Sequence, residues 1–257
     1  MSNKESFGKT LGVVIAVCFV CSIVVSGAAV GLRSEQQANK LLDKQTNILE
    51  AAGLLAKANG DIVATFEKYV ETKVWDLDTQ KFTDTFHGTT DPAVYDQYKA
   101  ARKDGIRPDD DFAKLIRRPN KVSVYYVKDD AGQTTRIILP INGSGLWNMM
   151  YAFLALDVDG NTIKELVYYD HKETPGLGGE IQNPKWKVLW HDKKLFDGAG
   201  KLAIKVIKGG AKPGDVHGVD AVSGATLTSN GVQKSLNYWL GKEGFGPFLA
   251  QLKQKGA

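Results

Sequence analysis

Beyond position 21 the 257-residue chain contains no cysteine: its two, Cys18 and Cys21, both fall in an apolar N-terminal stretch. The remainder therefore cannot by itself hold a disulfide, a thiolate zinc site or a cysteine-ligated iron–sulfur cluster. Cys18-Phe-Val-Cys21 has the spacing of a redox motif without its usual context, and inside an apolar segment both residues read as small hydrophobes. Histidine is scarce as well. The four histidines do not cluster, and His171 and His217 lack companions at metal-ligand spacing, which favours surface or hydrogen-bonding roles over a metal centre. Charge of one sign does not dominate. From Ser34 onward 30 basic residues face 28 acidic ones without a basic stripe, which argues against a nucleic-acid partner. No strand-linked G-x-G-x-x-G fingerprint for NADH is present, and no fixed-period repeat. With 43% hydrophobic and 24% charged residues, disorder is excluded on composition.

One long uncharged run is present. Leu11 to Leu32 is 22 residues without a charge, bracketed by Lys9 and Arg33. As a helix it would measure roughly 33 Å, enough to cross a bilayer core of about 30 Å. Ser26-Gly27-Ala28 has the small-residue pattern of a signal-peptide cleavage site, but the apolar run exceeds the usual length of such a segment. It reads as a membrane anchor after a short tail, residues 1–10. The absence of an acidic residue inside the span makes it a poor ion path. Basic residues lie on both sides, Lys4 and Lys9 before it and Arg33, Lys40 and Lys44 after it, so the positive-inside rule does not decide its orientation.

The rest predicts an α+β fold: a mainly antiparallel sheet flanked by helices, behind an N-terminal transmembrane helix. Residues 33–120 read as helical and irregular. Glu35 to Leu55 has helical apolar spacing, and Ile62 to Val70 gives a second helical face with Asp61 as its N-cap. Asp84 to Pro119 is polar, with turn signals at Asp91-Pro92 and Arg107-Pro108. Residues 121–257 read as the core. Val122–Val127, Thr135–Ile141, Ala152–Asp157, Ile163–Tyr169 and Leu202–Ile207 are strand-like runs. Trp186–His191 fits a short helix or a strand, and Leu227 to Leu240 a helix.

Three glycine-rich segments interrupt this region: Asn142–Trp147, His171–Gly179 and Asp220–Ser229. Glycine lets a backbone approach a ligand closely and present its N–H groups. Ser223-Gly-Ala-Thr226 ends immediately before the predicted C-terminal helix, and a helix N-terminus offers free N–H groups that favour phosphate. The hydroxyls of Ser223, Thr226, Thr228 and Ser229 fit either of two roles, contact with such a phosphate or simple capping of the helix.

The run Asp220-x-x-Ser-Gly-Ala-Thr-x-Thr-Ser229 resembles the flavinylation motif of the FMN-binding domain family. That family includes the C subunit of the sodium-translocating NADH:quinone reductase and the G subunit of the Rnf electron-transport complex. The other glycine segments, the apolar span and the length are most similar to the sodium-translocating branch. The resemblance implies one FMN joined by a phosphoester to Thr226, with Ser223, Gly224, Ala225 and Thr228 around it. It implies a magnesium-dependent flavin transferase using FAD as donor, since a threonine hydroxyl is a poor nucleophile without activation and no internal triad is legible. It also implies an electron-transfer subunit of a sodium-pumping NADH:ubiquinone reductase, without a complete active site of its own. The other subunits would be its partners, in a bacterial inner membrane with the C-terminal domain in the periplasm. The Rnf counterpart and a membrane-tethered, non-redox phosphate-ligand module are the competing readings. A flavin ring needs an apolar slot and polar groups at one edge. Leu146, Trp147 and Leu177 are candidates for the slot, with Trp147 equally suited to core packing. The backbones of Ser144, Gly145, Thr174 and Gly176 and the side chains of Glu173 and Thr174 are candidates for the edge, with Glu173 alternatively a solvated loop charge.

Overall fold

The structure, a computed structural model, describes residues 7–255. The chain divides into two compact units, one running to Lys44 and the other from Gln45. The first contains α1 (Phe7–Gly31), a 25-residue helix with no buried residue, long and apolar enough to cross a membrane. It extends the predicted span toward the N-terminus, taking in Phe7 to Thr10.

After α2 (Arg33–Ala52) and a single turn, α3 (Leu55–Ala58), comes α4 (Ile62–Tyr69). Asp61 caps α4 as expected, its carboxylate accepting the Ala64 N–H. The apolar spacing carries this helix through Val70; the structure ends it at Tyr69 and begins β1 (Val70–Asp76) there. The run Val-Glu-Thr-Lys-Val-Trp alternates, and pairing with a strand distant in sequence outweighs the local helical pattern. After β2 (Lys81–Phe82) the polar stretch contains a short helix, α5 (Gln97–Asp104), started by the Asp96 side chain.

Four strands follow in succession: β3 (Lys121–Lys128), β4 (Thr134–Ser144), β5 (Met149–Asp157) and β6 (Ile163–Asp170). With β1 and β2 they form one antiparallel sheet in the order β2-β1-β3-β4-β5-β6. Residues 70–82 therefore belong to the same sheet as the region after 120, rather than to a separate helical part. Alternate residues serve opposite faces, as the strand period requires. Leu139, Ile141, Ala152 and Leu154 join the core that includes the C-terminal helices, while Ile138, Phe153 and Ala155 join Ile48, Leu49 and Phe66 of α2 and α4. Burial on both faces explains why these strands read as continuous apolar runs.

Trp186–His191 is helical: α6 (Pro184–Lys187) continues into a 3-10 turn. Of the run from Leu202, only β7 (Lys205–Ile207) is a strand, and it pairs in parallel with β8 (Gly218–Asp220) as a separate two-stranded sheet. α7 (Thr226–Trp239) lies against β4, anchored where the Trp239 indole N–H donates to the Asn142 carbonyl at 2.8 Å. A last helix, α8 (Gly246–Lys255), lies beyond the elements legible in the sequence, and Phe248 and Leu249 bury its apolar side.

Candidate functional site

The end of β4, the start of β5 and the end of β6 meet at one edge of the sheet, because antiparallel register places Ser144 opposite Met149 and Tyr151 opposite Asp170. The first two glycine segments are the loops at that edge. The third leads from β8 into α7. Gly224, at φ +72°, turns the chain through a conformation that glycine adopts freely, and Ala225 becomes the residue before the helix. Thr226 is the first helical residue and is exposed.

Glu173 joins these segments. It is buried at 4% exposure, not a solvated loop charge. One carboxylate oxygen accepts the Trp147 backbone N–H at 3.0 Å and the other accepts the Thr228 hydroxyl. Its own N–H donates to His171 Nδ1 at 3.1 Å. The closeness depends on glycine: a Cβ on Gly145 would lie 2.5 Å from one Glu173 oxygen, and a Cβ on Gly178 would lie 2.7 Å from the other. A single carboxylate thus ties its own loop to the other two, and the glycines read as ligand-facing in the sequence serve in part to admit this side chain.

The hydroxyls of the third segment divide into two groups. Thr228 is committed to Glu173, and Ser229 Oγ accepts the Val222 N–H at 3.1 Å; both residues are buried. Ser223 and Thr226 are exposed. No side chain at Ala225 caps α7, so the simple capping role is not realised there. The hydrogen bonds of α7 begin with Ser229 N–H to the Ala225 carbonyl at 2.9 Å. The backbone N–H groups of Thr226, Leu227 and Thr228 precede that bond and are the orphan donors expected of a helix start. Asp220, the acid that opens the segment, is not free either: its carboxylate accepts the Ala211 N–H at 2.7 Å and its carbonyl accepts the Trp186 indole N–H at 2.8 Å.

The predicted apolar candidates all lie at this edge and are solvent-facing. Leu146 is 49% exposed, Trp147 67% and Leu177 47%; Leu227, which helical spacing groups with Val232, Leu236 and Leu240 on one apolar face, is 59% exposed and stands apart from them. Trp147 is therefore not a core residue; its indole N–H donates to Thr174 Oγ1 at 3.1 Å, bridging the first and second loops. Leu177 lies against Gly224, where a Cβ would meet its methyl group at 3.2 Å. The second loop is closed on itself, with the N–H groups of Leu177 and Gly179 both donating to the Thr174 carbonyl and Gly176 at φ +73°. Ser144 donates its N–H to the Ala113 carbonyl at 2.9 Å, and Gly145 to the Asn148 carbonyl at 2.8 Å.

An FMN fits these residues. An uncapped fourteen-residue helix presents free N–H donors around an exposed hydroxyl, which suits a phosphate ester, and exposed apolar side chains stand beside it, which suits an aromatic ring.

Comparison with known proteins bears on the same region. The FMN-binding domain family matches residues 145–241, which contain the second and third glycine segments and the end of the first. The chain is similar to the C subunit of the Na(+)-translocating NADH-quinone reductase of Yersinia pestis, 50% identical over 258 residues that cover 98% of this chain and 95% of that protein. Its counterpart in Vibrio parahaemolyticus is 50% identical over 260 residues, covering 99% of this chain and 98% of the relative. Among solved structures, Shewanella oneidensis NqrC superposes with a TM-score of 0.78 at 40% identity, covering 84% of this chain and 99% of that one. The corresponding reductase subunit from Parabacteroides distasonis gives a TM-score of 0.64 at 28% identity, covering 85% and 96%.

Proposed function

Because the chain belongs to the family of the C subunits of Na(+)-translocating NADH-quinone reductases, we propose that it is the flavin-bearing electron relay of such a complex, with one FMN joined by a phosphoester to Thr226. The observation that carries this reading is the exposed Thr226 hydroxyl at the first position of a helix whose N-cap residue supplies no side-chain cap. When bound, FMN supplies the redox chemistry by taking up and releasing electrons.

The chain's own residues hold and shape the group. The N–H groups of the first turn of α7 face the single negative charge of the diester, aided by the helix dipole. Gly224 and Ala225 carry no bulk that would shield Thr226, and the Ser223 hydroxyl stands nearby in sequence as a further donor. Leu146, Trp147 and Leu177 give apolar surface, and the backbones of Ser144, Gly145, Thr174 and Gly176 give polar groups at its edge. Glu173 and Thr228 act from behind, holding the loops in register. Among the described residues no general base is hydrogen-bonded to Thr226, so the hydroxyl is an acceptor for a separate, magnesium-dependent flavin transferase rather than a self-activated nucleophile. α1 is the membrane anchor, the domain that follows lies in the periplasm of a bacterial inner membrane, and the remaining subunits of the reductase are the partners.

The test is Thr226→Val, which keeps the side-chain volume and deletes the hydroxyl. Wild-type chain coexpressed with the transferase should show the added mass of one FMN and a fluorescent denatured band. A Thr226→Val band as fluorescent as wild type would move the attachment elsewhere, with Ser223 the exposed alternative.

A further inference from the structure

Between α5 and β3 the chain makes a closed excursion, residues 106–118. Its base is a reciprocal pair of backbone bonds: the Ile106 N–H donates to the Arg118 carbonyl at 3.0 Å, and the Arg118 N–H to the Ile106 carbonyl at 2.8 Å. Compact surface loops with adjoining ends are packed by their own side chains and frequently carry function. Here Ala113 and Leu115 are buried in the core that includes the C-terminal helices, and the Phe112 ring meets Tyr238 edge-on at 5.8 Å. The loop is also braced. The Asp111 carboxylate accepts the N–H groups of Leu115 at 2.6 Å and Ile116 at 2.8 Å, and its carbonyl accepts the Lys114 N–H at 3.0 Å. The Arg117 guanidinium donates to the Gly105 carbonyl at 2.8 Å. The Ser144 N–H donates to the Ala113 carbonyl, which fixes the loop beside the first glycine segment.

All of this bracing holds one apolar side chain in solvent. Ile116 is 70% exposed, more than any other large apolar residue described after α1. Its φ is +67°. Five described residues other than glycine have positive φ, and Ile116 is the one β-branched residue among them. For such a side chain the left-handed region is a genuine outlier, and a strained backbone persists only where its surroundings impose it. The fold gains no burial from Ile116, and a glycine or an asparagine would take the same turn at less cost. The side chain's contribution therefore lies outside this chain. Lys114 and Arg117 stand on either side of Ile116 in sequence and are exposed, and among the described residues neither has an ion-pair partner. The exposed acids of the loop, Asp109 and Asp110, precede the Asp111 brace.

We propose that Ile116 is the apolar knob by which this chain docks another subunit of the reductase, seated in an apolar socket whose rim carries carboxylates for Lys114 and Arg117. Docking of this kind rests on the chain serving as a subunit of such a complex and is independent of where the flavin is attached. A loop braced in advance loses little freedom on association, and that saving appears as affinity. Phe112 and Lys114 share a cleft with Leu146 and Leu227. A partner seated on the loop therefore stands at the end of the domain that carries the candidate site, where an electron donor or acceptor has to be.

The experiment uses the tagged full chain coexpressed with the other reductase subunits, and reads their dissociation from it on dilution of the solubilised complex. Wild type is compared with Ile116→Gly, Ile116→Asp, Lys114→Glu and Val188→Asp, the last an exposed valine on the 3-10 turn after α6. Ile116→Gly keeps the turn and relieves its strain, so the isolated chain should melt no lower than wild type. The complex should nevertheless weaken roughly ten- to hundredfold, as expected for one isoleucine side chain removed from a buried socket. Ile116→Asp should weaken it at least as much, Lys114→Glu several-fold at low salt and less at high salt, and Val188→Asp less than twofold. Ile116 variants that hold the partners as tightly as wild type overturn the docking role, and so does an equal loss with Val188→Asp. An isolated Ile116→Gly chain that melts well below wild type overturns it too, because the side chain would then serve the fold. Unchanged association of Lys114→Glu overturns the carboxylate rim. A wild-type chain that retains no other subunit removes the subunit reading as well.

Discussion

Thr228→Val deletes one hydroxyl at the centre of the site while leaving a side chain of nearly the same volume. Thr228 is 1% exposed and Glu173 4%, so water does not replace the lost donor. The Glu173 oxygen that accepted it is left without that partner, while the Trp147 N–H still serves the other oxygen at 3.0 Å. A hydrogen bond to a charged group contributes about 1.5–3 kcal/mol, and leaving a buried acceptor unsatisfied costs at the upper part of that range, so the loss should be about 2–3 kcal/mol. For a domain of this size each kcal/mol moves the melting midpoint by about 2–4 °C, which gives a decrease of roughly 4–12 °C. Thermal unfolding of a chain beginning at Ser34 provides the measurement. Glu173→Gln and the double variant complete a cycle in which the two single losses should exceed the double loss by about 1 kcal/mol or more, as expected for groups in direct contact. A Thr228→Val midpoint within a degree of wild type, with no coupling in the cycle, would refute the view that this carboxylate holds the loops together.

The other expectations are independent of that bond. Gly231→Ala places a Cβ 2.4 Å from the Ser144 carbonyl oxygen, so α7 must shift from β4, and thermal unfolding should show a loss of about 1–3 kcal/mol, as for other overpacked positions. A chain beginning at Ser34 should be soluble and still flavinylated when coexpressed with the transferase; failure to fold would show that the apolar helix is more than an anchor. Fusions after Ala257 to alkaline phosphatase and to a cytoplasm-dependent green fluorescent protein should give phosphatase activity without fluorescence, and the opposite pattern would reverse the topology.

Much of the sheet is legible because β3 to β6 are adjacent in sequence and rich in β-branched and aromatic residues. The helices α2, α4 and α7 are legible from apolar spacing, and the cap at Asp61 from its position. The strand β1 is not, because its alternating residues follow a helix without a breaker and its partner is distant in sequence. At the site, the three glycine segments are readable from composition, but the role of Glu173 is not. A lone acid in a glycine-rich loop carries no mark of burial, and only the fold brings Thr228 and the Trp147 N–H to it.

The contrast between buried Thr228 and Ser229 and exposed Thr226 has a consequence for the order of assembly. The side chains that fix the start of α7 find their partners within the polypeptide, and the core beneath them is closed. If Thr226 is the attachment residue, the transferase would meet an exposed threonine at the start of a packed helix, not a nascent strand. Under the proposed attachment, maturation of the chain would divide into a folding step, in which these buried partners are set, and a later enzymatic step at an exposed residue of the folded surface.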